Sequence, residues 1–136
     1  MSMLQMHRSI YERIIDQARE GFPFEVCGIL GGIGNIVSAI YPMTNTDASR
    51  DHFMMDPREQ FSVAKALRSQ ALEMLAVYHS HPATPARPSD EDLRLALTPG
   101  ISYVIVSLAD SSEPIVRSFK IAEGMVSPED LIIVND

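Results

Sequence analysis

Met74-Leu75-Ala76-Val77-Tyr78-His79-Ser80-His81-Pro82 opens a segment that continues through Ala83-Thr84-Pro85-Ala86-Arg87-Pro88 to Ser89-Asp90-Glu91-Asp92. Its first five residues are apolar and partly β-branched or aromatic, which predicts a buried strand. Side chains at i and i+2 share one face of a strand, so His79 and His81 leave its end side by side, about 6–7 Å apart at Cα. Pro82, Pro85 and Pro88 oppose a helix and stiffen residues 82–88 into an extended loop. Ser89 then starts a short helix over residues 89–97, carried by Leu93, Leu95, Ala96 and Leu97, and the loop folds back so that Asp92 faces the histidine pair. Two imidazoles, one carboxylate and a water make an open site of the catalytic zinc type, unlike the closed four-ligand structural type. Ser89 and Asp92 also match the S-x-x-D capping box, which satisfies loose N–H groups at a helix start. A serine can do both, capping with one lone pair while its hydroxyl proton faces the site.

His79-Ser80-His81-Pro82, six residues, Ser89, two residues and Asp92 together resemble the signature of the JAMM (MPN+) metallopeptidase family. That family places a distant glutamate at the start of the strand after the first helix, and Pro23-Phe24-Glu25-Val26-Cys27-Gly28-Ile29-Leu30-Gly31-Gly32 is similar to that element. The resemblance in element order covers nearly the whole chain, from the first helix to the strand around Tyr103. It implies an α/β fold: a single MPN (cytidine-deaminase-like) domain over residues 1–136, with a mixed, mostly antiparallel sheet flanked by two long helices and one short helix. It also implies that His79, His81 and Asp92 hold Zn²⁺, with Glu25 and Ser89 as the catalytic residues. An isolated glutamate at a strand start is ordinarily a solvated charge. Beside the histidine segment Glu25 becomes the best general-base candidate, because an activated water needs a nearby carboxylate to take its proton and pass it to the leaving amine. Ser89 would then stabilise the oxyanion.

The chain has 136 residues, a formal charge of −7 and 46% apolar content, which predicts one compact domain around a single core. The acidic balance argues against nucleic acid or an anionic membrane as partner, since both require a basic surface. One cysteine excludes an internal disulfide framework and suits a reducing cytoplasm. Residues 1–7 lack the apolar core of a signal peptide, and no apolar run is long enough to span a bilayer.

Residues 9–20 read as the first helix, with Ile10, Ile14 and Ala18 aligned and Gly21 as its stop. Phe22-Pro23-Phe24 is extended and sets Glu25 before a strand over residues 26–33, which Gly34-Asn35 turns into a second strand over 36–41. Cys27 reads as a small buried core thiol. Residues 42–58 are irregular, with Asn45, Asp47, Ser49 and Asp51 as turn formers and Asp56-Pro57 starting a helix over 57–72. Within that stretch His52 is a candidate fourth ligand, but it lacks spacing to any partner and reads as surface or as lining a substrate groove, while Phe53-Met54-Met55 forms a short edge strand next to the site. Phe61, Ala64, Leu67 and Leu72 are expected to seat the second helix. Further strands are expected over 101–108 and 115–121, and Leu131-Ile132-Ile133-Val134 reads as an edge strand.

As to substrate, the resemblance implies cleavage after the C-terminal Gly-Gly of a ubiquitin-like protein. The shortness of the chain makes it similar to small prokaryotic members connected with ubiquitin-like sulfur-carrier proteins. A narrow cleft would admit only glycine beside the scissile bond, and an extended tail could add to an exposed sheet edge. Two other classes compete. One is a non-catalytic MPN binding scaffold, disfavoured because none of the expected ligand positions is missing. The other is a zinc amidohydrolase or deaminase acting on a small molecule, opposed by the want of a Cys-x-x-Cys ligand pair.

Overall fold

The computed structural model describes residues 2–96 and 98–136. Its elements, in chain order, are β1 (Met3–His7), α1 (Arg8–Gly21), β2 (Cys27–Ile33), β3 (Ile36–Met43), α2 (Pro57–Ser69), β4 (Glu73–His81), α3 (Asp90–Leu95), β5 (Ser102–Ser107), β6 (Ile115–Ala122) and β7 (Met125–Val134). The strands form one sheet in the order β1-β3-β2-β4-β5-β6-β7, and β7 returns to β1 to close it. Four pairings are antiparallel and three parallel, so the sheet is mixed and mostly antiparallel as expected.

Closure is where the structure corrects the expected architecture. A sheet flanked by two long helices was the expectation; instead the sheet curls around α1. The cause is β1, a strand that the sequence pattern does not announce. It runs parallel to both β3 and β7, with Gln5 opposite Ile36 on one side and Ile132 on the other. Leu4 and Met6 point inward and join Ile10, Ile14 and Ala18 of α1, together with Leu30, Val37, Ala76, Tyr78, Val104 and Val106 from the surrounding strands. Burying side chains of this size contributes about 1.5–3 kcal/mol each, which makes this cluster the main source of cohesion. The last strand also begins earlier than expected, at Met125, because residues 125–129 pair with β6.

The opposite face of β2 and β4 carries a second core of Cys27, Ile29, Met43, Met55, Val63 and Leu67, which seats α2. Asp56 caps α2 by accepting from the Arg58 amide, with Pro57 at the first helical position. α2 seats itself through Leu67 as expected, but Val63 is buried beside it in place of Phe61, which is 66% exposed. Residues 26–33 tolerate close neighbours because they are rich in glycine. A Cβ on Gly28 would lie 2.3 Å from the Tyr78 ring, and one on Gly32 1.9 Å from the Ile36 carbonyl oxygen. Tyr78 can therefore lie flat beneath β2 and donate its hydroxyl to Gln17. α3 spans Asp90–Leu95 and ends earlier than the expected helix, at the C-cap Ala96; Leu97 falls outside the described residues. No helix among the described residues is long and apolar enough to cross a membrane.

Candidate metal centre

Strand alternation sends Ala76, Tyr78 and Ser80 toward α1, and Val77, His79 and His81 toward the outer face. His79 lies opposite Cys27 on β2 and Ile105 on β5, at the centre of the sheet. Ser89 caps α3 with its side chain accepting from the Asp92 amide, and the Asp92 carboxylate accepts from the Ser89 amide. The capping box thus orients Asp92, and Asp92 Oδ2 is delivered to both histidines.

The three donor atoms form a nearly equilateral triangle. His79 Nε2 lies 3.1 Å from His81 Nε2, and each lies 3.1 Å from Asp92 Oδ2. His81 Nδ1 donates to the Pro85 carbonyl at 2.9 Å. A carbonyl only accepts, so Nδ1 carries a proton, which leaves Nε2 as the nitrogen that would offer its lone pair to a cation. Phe53 stacks on the His79 ring, with centroids 4.7 Å apart and planes at 27°. This donor set, two imidazoles and one carboxylate converging from a strand and a helix, fits a divalent cation.

The electrostatics agree with that fit. Burial pushes His79 down, toward the neutral form that ligates. Burial also lowers His81, but the Asp92 carboxylate and the Pro85 carbonyl outweigh it and leave its pKa raised. Asp92 is held well below the usual carboxylate range: burial opposes this, and hydrogen bonds from His79 and His81 overcome it. The pocket between these groups favours positive charge.

Glu25 is 4% exposed, and its Oε1 is the one buried side-chain polar atom without a hydrogen-bond partner among the described residues. Burial pushes its pKa up to about 8, opposed by His81 and reinforced by Asp92 and Asp51. A buried carboxylate left unpaired is costly, and one poised near neutrality can take and return a proton. Its backbone, by contrast, is fully engaged: the amide donates to the Ser49 carbonyl at 2.7 Å and the carbonyl accepts from Asn45 Nδ2 at 3.1 Å.

Ser89 is exposed at the N-cap of α3, and its hydroxyl proton goes to no protein acceptor among the described residues. His52 stays outside the ligand triangle; its Nδ1 lies 3.0 Å from Asp47, and it lines a cavity of about 290 Å³ beside His79 and Asp92. That cavity is walled chiefly by Phe53, Met55, Val77, Ile105 and Ile121. Cys27 is fully buried with its pKa raised by burial to about 12, as suits an inert core thiol. β1 pairs with β3 only at Ile36 and Val37, so among the described residues 38–43 of β3 have β2 on one side and no strand on the other. Phe53 lies beside the site as expected, whereas Asn45 and Ser80 matter to the site and the sequence does not single them out for it. A turn former and a spacer between two histidines carry no periodic signal of such a role.

Residues 7–122 match the model of a family described as prokaryotic homologs of the JAB domain. The chain is similar to the CysO-cysteine peptidase of Mycobacterium tuberculosis, with 33% identity over 134 residues covering 97% of this chain and 92% of the relative. It is 35% identical over 113 residues to the desampylase of Haloferax volcanii, covering 78% of this chain and 81% of that protein. The solution structure of protein DSY2949 from Desulfitobacterium hafniense superposes with a TM-score of 0.90 at 43% identity, covering 98% of this chain and 94% of the other.

Proposed function

This chain belongs to the prokaryotic JAB (JAMM/MPN) family and is a metalloprotease-type hydrolase, and from that membership we propose a specific reaction. The protein is a zinc-dependent peptidase or isopeptidase that cleaves after the C-terminal Gly-Gly of a ubiquitin-like sulfur-carrier protein. The observation that carries this reading is the triangle of His79, His81 and Asp92 donor atoms, 3.1 Å apart, with the unpaired Glu25 carboxyl buried nearby. Ligand atoms of a tetrahedral zinc at its usual bond lengths are about 3.3 Å apart, so little adjustment is needed. Relatives named CysO-cysteine peptidase and desampylase support a protein-conjugate substrate over a small amide.

His79 Nε2, His81 Nε2 and Asp92 Oδ2 would hold the ion. Zn²⁺ supplies Lewis acidity, lowering the pKa of water toward neutrality and polarising a carbonyl. Glu25 takes the proton of the attacking water and returns it to the departing nitrogen, a task suited to a pKa raised to about 8. The Ser89 hydroxyl donates to the oxygen that gains charge. Apolar residues of the carrier tail rest against the cavity wall formed by Phe53, Met55 and Ile105, and glycine at the scissile bond lets the backbone approach the ligands.

The test is incubation of the zinc-loaded protein with ubiquitin-like carriers ending in Gly-Gly and extended by cysteine or by an isopeptide-linked lysine, read by mass spectrometry. Release at the Gly-Gly carboxyl, abolished by Glu25→Gln, is the expected result. Turnover of small amides with every carrier conjugate left intact would contradict the reading.

A further inference from the structure

We infer that Asn45 is a positioning residue that sets the general base Glu25, an inference that rests on the role given to Glu25 above. Asn45 lies just beyond β3, half-buried, and all of its side-chain hydrogen-bonding capacity is used. Nδ2 donates to the carbonyls of Glu25 and His52, each at 3.1 Å. Oδ1 accepts from the amides of Asp47 and Met54, each at 3.1 Å. One carboxamide therefore closes the loop over residues 45–54 upon itself and fastens the closed loop to Glu25.

The other backbone group of Glu25 is held by the same loop, since its amide donates to the Ser49 carbonyl at 2.7 Å. Glu25 Oε1, in contrast, has no protein partner among the described residues. The carboxyl thus takes its placement from its own backbone, and that backbone takes its placement from the loop that Asn45 organises. Phe53, stacked on His79, lies between His52 and Met54, two of the four residues whose backbone groups Asn45 grips. Asn45 itself makes no hydrogen bond to His79, His81 or Asp92 among the described residues. It acts through Glu25 rather than on substrate or ligand atoms.

Only a carboxamide supplies two donors and two acceptors at this length. Asn45→Asp keeps the acceptors and turns the donor side into a negative charge facing two carbonyls. Asn45→Ala removes all four bonds, and Asn45→Ser provides a milder variant should alanine impair folding. Thr46→Val is the control: it removes one loop hydrogen bond, Thr46 Oγ1 to the Met54 carbonyl at 3.0 Å, without touching Glu25.

The experiment compares these variants and Glu25→Gln as full-length, zinc-loaded protein, measuring kcat, KM, zinc affinity and amide hydrogen exchange by NMR. Asn45→Asp and Asn45→Ser are expected to lower kcat about tenfold or more with KM and zinc affinity within about threefold of wild type, the signature of a lost transition-state contribution. Thr46→Val is expected to leave all three unchanged. Exchange at the Glu25 amide should accelerate about tenfold in the Asn45 variants while that at His79 and His81 stays as in wild type, a readout that needs no substrate. Unchanged exchange at Glu25, unchanged kcat, or equal losses in the Asn45 variants and Thr46→Val would each overturn the inference. If Glu25→Gln itself retains turnover, the general-base role fails first. If Glu25→Gln is inactive and Asn45→Asp fully active, only the positioning role fails.

Discussion

Ser80 Oγ accepts a hydrogen bond from the Val26 amide at 2.8 Å, and the Ser80 amide donates to the Val26 carbonyl at 3.0 Å. The residue between His79 and His81 is thereby bonded to the residue next after Glu25. Ser80 is fully buried on the strand face opposite His79 and His81, so it serves as a clamp between two segments far apart in the chain.

Ser80→Ala should therefore destabilise the fold by about 1–2 kcal/mol, the usual cost of leaving a largely buried amide without its partner. Urea denaturation measures this, and a loss of turnover larger than any loss of bound zinc is expected alongside.

Glu25→Gln should stabilise the metal-free protein at neutral pH. Because burial raises the Glu25 pKa from 4.5 to about 8, the folded chain holds a proton between those values that the unfolded chain has released. Stability then falls as pH rises through that interval. The glutamine variant loses this slope and gains on the order of 3 kcal/mol at most near pH 7, while turnover disappears. Thermal unfolding of both metal-free proteins from pH 5 to 8 checks it, and parallel curves would count against it.

Phe53→Ala should weaken zinc binding by about tenfold, since groups that orient a ligand contribute at that level. The stacked ring fixes His79 without itself ligating. Competition with a chromophoric chelator gives the affinity, and a value equal to wild type would show that the strand alone orients the imidazole.

Glu129 gives a second pH dependence of opposite sign. It lies 8% exposed on β7 and accepts from Ser102 and Ser118, each at 2.6 Å, and from Ser2. Burial pushes its pKa up, but those hydroxyls and Lys120 outweigh burial and leave it lowered. Its contribution is fully present above the ordinary glutamate range, near pH 4.5, and is lost as pH falls through the lower folded value. Glu129→Gln should cost about 1–3 kcal/mol at pH 7, with the difference from wild type narrowing below pH 4.5.

The convergence of His79, His81 and Asp92 was legible in the sequence because its information is local. A two-residue period puts His79 and His81 on one face, and a capping box places Asp92 three residues after Ser89. α1 was legible for the same reason, through the spacing of Ile10, Ile14 and Ala18. β1 was not, because a five-residue strand whose partners lie near residues 36 and 132 announces itself only through pairing at long range. Without it, the closure of the sheet around α1 could not be foreseen. Phe61 misled because its size suggested burial, whereas the geometry of α2 turns Val63 and Leu67 inward. Asn45 was legible as a turn former, but its grip on Glu25 depends on which carbonyls the folded loop brings to it.

The measurement that tests the account most directly is the zinc content of protein purified without added metal, by mass spectrometry of the metal, for wild type, His79→Ala, Asp92→Ala and Glu25→Gln. About one zinc per chain in wild type and Glu25→Gln, and little in the other two, is what a three-ligand site with a separate general base predicts. Zinc retained by His79→Ala and Asp92→Ala, or absent from wild type even after zinc is supplied, would contradict it.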